Sequence, residues 1–84
     1  MSIEQTIRNY ILENYLFTND QSTLQNDESF LDKGIIDSTG ILEVVSFLES
    51  EFGVKVEDRE MTPEYLDSVD NLVRFVTAKQ AAVQ

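Results

Sequence analysis

The chain has 84 residues, of which 42% are hydrophobic, a size and composition that fit a domain with its own core. It contains no cysteine and no histidine, which excludes disulfides, thiol-ligated metals, cysteine nucleophiles and imidazole acid-base chemistry. We therefore assign no metal-ligating residues and expect no enzyme activity. The net charge of −10 argues against binding to nucleic acid, because that binding relies on clustered Lys and Arg.

The acidic residues concentrate in the middle of the chain. Residues 27–70 hold 13 acidic residues against three basic ones, so this stretch carries the whole net charge. The negative electrostatic potential of this stretch attracts partners with basic surfaces and speeds their encounter with the protein. The alternative interpretation is that the acidic surface only keeps the protein soluble.

No part of the sequence has the pattern of a membrane or export segment. The first residues lack the basic region and apolar stretch of a signal peptide, and no apolar run approaches the roughly 18 residues that span a bilayer. We therefore expect a cytoplasmic protein without membrane insertion.

The first amphipathic segment predicts a helix over about residues 3–16. Ser2 and Gln5 fit a capping box. The apolar residues that recur on one face of this helix are Ile3, Ile7, Tyr10 and Ile11. A long polar connection follows over residues 17–37, and connections of this length are often functional. Its apolar side chains, which we expect to hold it against the core, are Phe17, Leu24, Phe30, Leu31, Ile35 and Ile36.

The second helix, over residues 38–52, has the clearest periodicity. Its apolar stripe consists of Ile41, Val44, Val45, Leu48 and Phe52. The opposite face is polar and consists of Thr39, Glu43, Ser46 and Ser50, with Leu42 and Glu49 at its edge. Gly53 predicts the end of this helix, because glycine readily adopts the left-handed conformation that follows a helix.

The rest of the chain predicts a loop and two more helices. Apolar and polar residues alternate over only three positions in residues 54–56, which is too short for a strand. We therefore expect a loop there that is anchored in the core. Pro63 suits the first position of a short helix in which Tyr65 and Leu66 face inward. Ser68 can cap a last helix. The predicted buried stripe of that helix is Val69, Leu72, Val73 and Val76.

These four segments have to bury their apolar stripes against each other. The sequence therefore predicts an all-α fold, a small four-helix bundle of three main helices and one short helix, with a long loop between helices one and two. We expect residues 1–84 to form a single domain, in which residues 78–84 are a frayed tail.

The candidate site lies where the long loop meets the second helix. Ser38 follows Asp37 at this junction, beside backbone N–H groups that have no partner within the helix. These donors and the helix dipole favour an anion, so a phosphodiester on Ser38 would be stabilised there. The alternative is that Ser38 or Asp37 only caps the helix, which both residue types often do.

In this context the sequence resembles the acyl carrier protein family over roughly residues 3–76. The segments that carry the resemblance are residues 34–38 (GIIDS), 42–45 (LEVV), 48–52 (LESEF), 54–56 (VKV) and 68–69 (SV). The resemblance implies that Ser38 is the attachment serine for 4′-phosphopantetheine, a covalent group donated by coenzyme A. It also implies that Asp37 helps to position the transferase that installs this group.

The resemblance implies a function as well. The protein would carry acyl or aminoacyl groups as thioesters on the arm, whose thiol the cysteine-free chain lacks. Its partners would be a phosphopantetheinyl transferase and acyl- or aminoacyl-transferring enzymes with basic docking faces, and the protein itself would be a monomer. The helix-two positions that face partners in the family are here Thr39, Leu42, Glu43, Ser46, Glu49 and Ser50. The alternative for these residues is an ordinary solvated face.

Three features depart from the fatty-acid-synthesis pattern of the family. Thr39 replaces the usual leucine, Gly40 replaces a polar residue, and residues 61–65 form a longer stretch than is typical. We therefore predict a specialised stand-alone carrier that serves amino-acid activation, a polyketide or nonribosomal peptide route, or cell-surface lipids. The competing hypothesis is an unmodified acidic helical adaptor, in which Ser38 caps the helix and the acidic face binds a protein.

Overall fold

The computed structural model of the chain describes residues 2–82, and residue 82 only for its backbone. Within this range the chain forms four α-helices and three short helical turns and contains no β-strand. The helices are α1 (Ile3–Ile11), α2 (Ser38–Phe52), α3 (Pro63–Leu66) and α4 (Val69–Ala82). The short turns are Leu12–Leu16, Gln21–Thr23 and Asp58–Glu60. The predicted small helical bundle with a long first loop is confirmed.

The first helix is followed by a wider π-helical turn. At its start the Ser2 hydroxyl accepts a hydrogen bond from the Gln5 N–H at 3.0 Å, which is the Ser2 half of the predicted capping box, while the Gln5 side chain donates to the Asn9 side-chain oxygen at 2.8 Å. Regular α-helical geometry stops at Ile11, and the π-helical turn Leu12–Leu16 continues the segment. Phe17 then ends it with a left-handed backbone (φ 55°). The predicted limits of the segment are confirmed, but the change of geometry within it was not predicted.

The apolar stripes of the helices meet in one hydrophobic core. Val44, Val45 and Leu48 of α2 are buried as predicted, while Val73 of α4 is only partly buried. Phe75 of α4 is buried instead, although it lies outside the predicted stripe. In α3, Leu66 is buried and Tyr65 is exposed, so the inward orientation predicted for Tyr65 is wrong.

The long loop is held to the core by only some of its apolar side chains. Leu24, Phe30 and Ile36 are fully buried. Phe17, however, is 82% exposed and Leu31 is 39% exposed, so the prediction is wrong for these two residues. The loop is therefore pinned at its middle and at its end, where it approaches α2.

Hydrogen bonds to Asp67, between α3 and α4, fix the middle of this loop. The Asp67 carbonyl accepts a hydrogen bond from the Phe30 N–H at 2.8 Å, and its carboxylate accepts one from the Leu31 N–H at 3.0 Å and one from the Ser29 hydroxyl. Hydrogen bonds to a charged acceptor are stronger than neutral ones. Asp67 thus ties the loop to the α3–α4 junction.

A buried arginine ties the start of the loop to α1. The Arg8 guanidinium donates to the Gln21 carbonyl at 2.6 Å, to the Gln21 side-chain oxygen at 3.0 Å and to the Asn26 side-chain oxygen at 2.5 Å. Arg8 is 8% exposed. A buried charge is costly unless it is hydrogen-bonded, and these three oxygens meet that need.

The predicted helix ends and caps around the remaining turns are confirmed. Gly53 has a left-handed backbone (φ 67°) directly after α2. Residues 54–56 form a loop whose two valines are buried. Pro63 is the first residue of α3, and the Ser68 hydroxyl accepts a hydrogen bond from the Asn71 N–H at the start of α4. Helix α4 continues to Ala82, and the last two residues of the predicted tail lie outside the described residues.

No helix in the described part of the chain combines the length and apolarity that crossing a bilayer requires.

Candidate functional site

Ser38 is the first residue of α2, and its side chain is exposed. The preceding Asp37 has an extended backbone, and its carboxylate accepts a hydrogen bond from the Gly40 N–H at 2.7 Å. Asp37 is therefore the cap of α2. The Ser38 hydroxyl makes no hydrogen bond to any other residue between 2 and 82, so the structure assigns the capping role to Asp37 and leaves Ser38 open to solvent.

The first turn of α2 is a favourable place for a negative group on Ser38. Asp37 pairs with only one of the backbone N–H groups there, and the others point toward the helix start. The 15-residue helix adds its positive dipole end, and its first turn contains no acidic residue. An anion attached to Ser38 would thus meet backbone donors and the positive dipole end of the helix, and the adjacent Asp37 carboxylate is the one acidic group at the helix start.

Gly40 allows α2 to pack closely against Ile36 and Tyr15 near Ser38. A Cβ atom at this buried position would lie 2.8 Å from Ile36 Cγ2 and 3.5 Å from Tyr15 Cε1, so a larger residue would force its neighbours to move. Packing therefore explains why glycine replaces a polar residue at this position.

Tyr15 connects the end of the first segment to α2. Its hydroxyl lies 3.4 Å from the Gly40 carbonyl oxygen and 3.2 Å from a carboxylate oxygen of Glu43. Burial raises the pKa of Tyr15 above its usual value, and Tyr10 and Glu43 raise it further. Tyr15 therefore stays protonated and donates to these oxygens at neutral pH.

An aromatic cluster supports this contact. Tyr10 stacks on Phe47 of α2 with ring centres 3.9 Å apart, and it meets Tyr15 edge-on at 5.9 Å. Such aromatic pairs contribute about 0.5–1.5 kcal/mol beyond the area they bury. The helical periodicity of the sequence predicted a contact for neither Phe47 nor Tyr15. The presence of aromatic residues in both segments was the only sequence signal for this cluster.

The six residues predicted to face partners all lie on the exposed side of α2. They are Thr39, Leu42, Glu43, Ser46, Glu49 and Ser50. Leu42 is 56% exposed and places an apolar contact within this polar face. Exposure makes docking there feasible, and the docking itself stays a prediction.

Two of these residues also have structural contacts that the sequence did not reveal. Glu43 accepts the hydrogen bond from Tyr15. Glu49 accepts a hydrogen bond from the Val56 N–H at 3.0 Å and thereby ties residues 54–56 to α2. Any substitution on this face has to be judged for stability as well as for docking.

A small cavity lies beside Ser38. Its volume is about 110 Å³, and most of its lining is apolar. The lining residues are Leu31, Ser38, Ile41, Met61, Thr62 and Pro63. This cavity belongs to the candidate site because Ser38 forms part of its wall.

A larger open cleft of about 660 Å³ lies between α3 and α4 and does not include Ser38. Glu60 and Lys79 form an ion pair at 2.7 Å on its wall, and Tyr65 and Phe75 contribute aromatic surface. No residue of this cleft belongs to the predicted site. Among the described residues there is also no group of three or more acidic side chains that could hold a metal ion.

Comparison with known proteins identifies the family. No model of a protein family matches this sequence. Curated relatives do match: the D-alanyl carrier proteins of Streptococcus pyogenes serotypes M1, M5 (strain Manfredo) and M49 (strain NZ131) are each 37% identical over 82 residues, which covers 98% of this chain and 100% of theirs. This chain belongs to the phosphopantetheine-type carrier protein family.

Membership of this family confirms the resemblance found in the sequence and the general function of a carrier. Carrier proteins hold a group while other enzymes act on it, so the carrier is not itself an enzyme. Around Ser38 the structure combines an exposed serine hydroxyl without a partner in the described residues, helix-end donors and a neighbouring apolar cavity, and the attachment of an arm there stays a prediction.

Proposed function

We propose that this carrier holds an aminoacyl group as a thioester on a 4′-phosphopantetheine arm attached to Ser38. The observation that supports this most is the exposed, unpaired hydroxyl of Ser38 at the first position of α2, in a chain that matches curated carrier proteins over nearly its whole length. When bound, the arm supplies the thiol that the chain lacks.

The residues around Ser38 have distinct parts in this proposal. Asp37 orders the first turn of α2 through its hydrogen bond to Gly40 and is exposed to the transferase that installs the arm. The backbone N–H groups of the first turn stabilise the phosphodiester. Tyr15 and Gly40 hold the turn against the end of the first segment.

We propose an amino acid as the cargo, with D-alanine as the first candidate, because the name of the relatives describes them as D-alanyl carriers. We propose this cargo in place of polyketide, nonribosomal peptide and fatty-acid cargo. We further propose that residues 1–84 are one domain that acts as a monomer and presents its acidic α2 face to basic surfaces of a transferase and a ligase. The cytoplasmic location stays a prediction.

A mass measurement tests the attachment. The protein is incubated with coenzyme A and a phosphopantetheinyl transferase of broad specificity, and its intact mass is recorded. We expect a gain of one phosphopantetheine in the wild type and in Thr77→Ala, which removes an exposed hydroxyl on α4, and no gain in Ser38→Ala. If the wild type gains no mass while a known carrier does in the same mixture, the proposal is wrong and the unmodified adaptor is favoured.

The second stage of this experiment tests the cargo. The modified protein is incubated with ATP, D-alanine and the ligase that loads a streptococcal D-alanyl carrier protein, and then with L-alanine or acetate in place of D-alanine. We expect an added D-alanyl mass that hydroxylamine removes, as it removes a thioester. Faster loading with L-alanine or acetate would contradict D-alanine as cargo and leave the attachment site unaffected.

A further inference from the structure

The cavity beside Ser38 is small, apolar and placed at the proposed attachment point. An apolar cavity of about 150 Å³ accommodates a molecule of the size of benzene. The cavity here, at about 110 Å³, therefore accommodates a smaller group, such as a carbon atom that bears two methyl groups. Ile41, Met61 and Pro63 supply apolar walls for such a group.

Thr62, one of the lining residues, has a buried side-chain hydroxyl without a partner. Its hydroxyl is shut off from solvent and has no hydrogen-bond partner, the one such side-chain atom found among the described residues. The backbone of Thr62 is fully engaged, because its N–H donates to the Glu60 carbonyl and its own carbonyl accepts from Tyr65 and Leu66. A buried hydroxyl without a partner is unfavourable, so a group that pairs with it would be stabilised.

We propose that this cavity seats the branched segment of the arm nearest to Ser38, with the Thr62 hydroxyl hydrogen-bonded to the polar groups that follow this segment. The inference rests on the proposed attachment of the arm to Ser38. A phosphopantetheine arm carries its dimethyl-substituted carbon one methylene beyond the phosphate, and its own hydroxyl and first amide come next. The dimethyl-substituted carbon would contact the apolar lining residues, and a change of the Thr62 side-chain rotamer would bring its hydroxyl to the polar groups of the arm.

The distance of each group from Ser38 along the arm indicates whether the arm or its cargo occupies the cavity. Ser38 forms part of the cavity wall, so the atoms that follow the phosphate reach the cavity directly. The thiol and its cargo lie at the far end of the arm and would have to fold back over the whole arm. The cavity is also too small for both. The cargo therefore stays outside, where partner enzymes reach it.

The test compares the protein with and without the arm by nuclear magnetic resonance and thermal unfolding. Intact mass first establishes that the arm is attached. We expect attachment to shift the backbone and methyl signals of Ile41, Met61 and Thr62 in addition to those of residues 37–39. An arm installed from acetyl-coenzyme A should give the same signals at Ile41 and Met61 as an arm with a free thiol.

Thr62→Val removes the hydroxyl while keeping the shape of the side chain. Without the arm, we expect this variant to unfold at the same temperature as the wild type or higher, because an unpaired buried hydroxyl is lost. The rise in unfolding temperature that the arm causes should fall by at least half. Thr77→Val, an exposed threonine on α4 outside the cavity, is the matched control and should keep the full rise. Thr62→Ser, which retains a hydroxyl, should keep most of it.

The outcomes separate this inference from the proposed function. If no mass is gained, the proposed function fails and the cavity has no arm to hold. If mass is gained but the signals of Met61 and Thr62 do not move, or Thr62→Val keeps the full arm-dependent rise, the arm lies elsewhere and this inference is wrong. Signals of Ile41 and Met61 that change with the acetyl group would show cargo in the cavity and would also overturn it.

Discussion

Two adjacent residues at the start of α2 divide the work of the site between them. Asp37 caps the helix by accepting the Gly40 N–H, so Ser38 is free of that task and its hydroxyl points to solvent. A serine that capped the helix would lose its hydroxyl to a backbone donor. In this Asp-Ser pair, the Asp37 carboxylate therefore caps the helix, and the Ser38 hydroxyl remains available as a nucleophile.

At the same scale, Gly40→Ala should destabilise the protein. The added Cβ would lie 2.8 Å from Ile36 Cγ2, and forced overpacking costs about 1–3 kcal/mol. Alanine recovers up to about 1 kcal/mol as a better helix former, so we expect a net loss of about 1 kcal/mol in the free energy of unfolding, measured by urea denaturation. Ser46→Ala, on the exposed face of the same helix, should lose none. Equal stability of the two variants would contradict the close packing.

At the scale of the element, α2 presents one face to the core and one to partners, and neighbouring segments constrain the second face. The Tyr15 hydroxyl, in the first segment, donates a hydrogen bond to the Glu43 carboxylate. The Glu49 carboxylate accepts a hydrogen bond from the Val56 N–H in the loop of residues 54–56. These hydrogen bonds restrict the side chains that are proposed to dock. Less conformational entropy is then lost when a partner binds.

Glu43→Lys should slow arm installation several-fold and weaken the dependence of its rate on salt, because an exposed charge on a docking face acts mainly on the association rate. Two variants separate charge from structure. Tyr15→Phe removes the hydrogen bond to Glu43 but keeps the carboxylate, and it should retain a near-normal rate. Glu4→Lys makes the same charge change in the first turn of α1. If Glu43→Lys reacts as fast as Glu4→Lys, the acidic face of α2 does not guide the transferase.

At the scale of the whole molecule, the charge of −10 on 84 residues is a source of instability as well as of attraction. Few of these charges are compensated. The ion pairs in the described part of the chain are Arg59 with Glu57 and Lys79 with Glu60. Lys79 also lowers the pKa of Glu60 through its hydrogen bond to that carboxylate, which keeps the carboxylate ionised.

Added sodium chloride should therefore raise the unfolding temperature, because it shortens the screening length to about 3 Å at 1 M and weakens repulsion among the acidic groups. The double variant Glu51→Gln/Glu64→Gln tests this cause. Both residues are exposed, and neither makes a hydrogen bond or ion pair with another residue from 2 to 82. We expect the variant to be more stable than the wild type at low salt and equal to it at high salt. A wild type that is unaffected or destabilised by salt would refute the role of repulsion.

Local patterns in the sequence determined the helices and the position of the candidate serine. The limits of α2 followed from a 3.6-residue apolar repeat and from Gly53, and the starts of α3 and α4 followed from Pro63 and Ser68. These features act within one or two turns of chain, so the residues that cause them are neighbours in the sequence. Ser38 was noticed in the same way, as a hydroxyl at a predicted helix start, but its role as attachment serine was inferred from the resemblance to the acyl carrier protein family.

Only the tertiary structure decided which side chains meet across the fold. The contact between Tyr15 and Gly40, the exposed positions of Phe17 and Tyr65, and the cavity with its unpaired Thr62 hydroxyl all depend on how separate segments pack. A periodic pattern reports that a face is apolar, but it does not report what covers that face. Distant packing leaves no period along the chain, and for that reason these features became visible only in three dimensions.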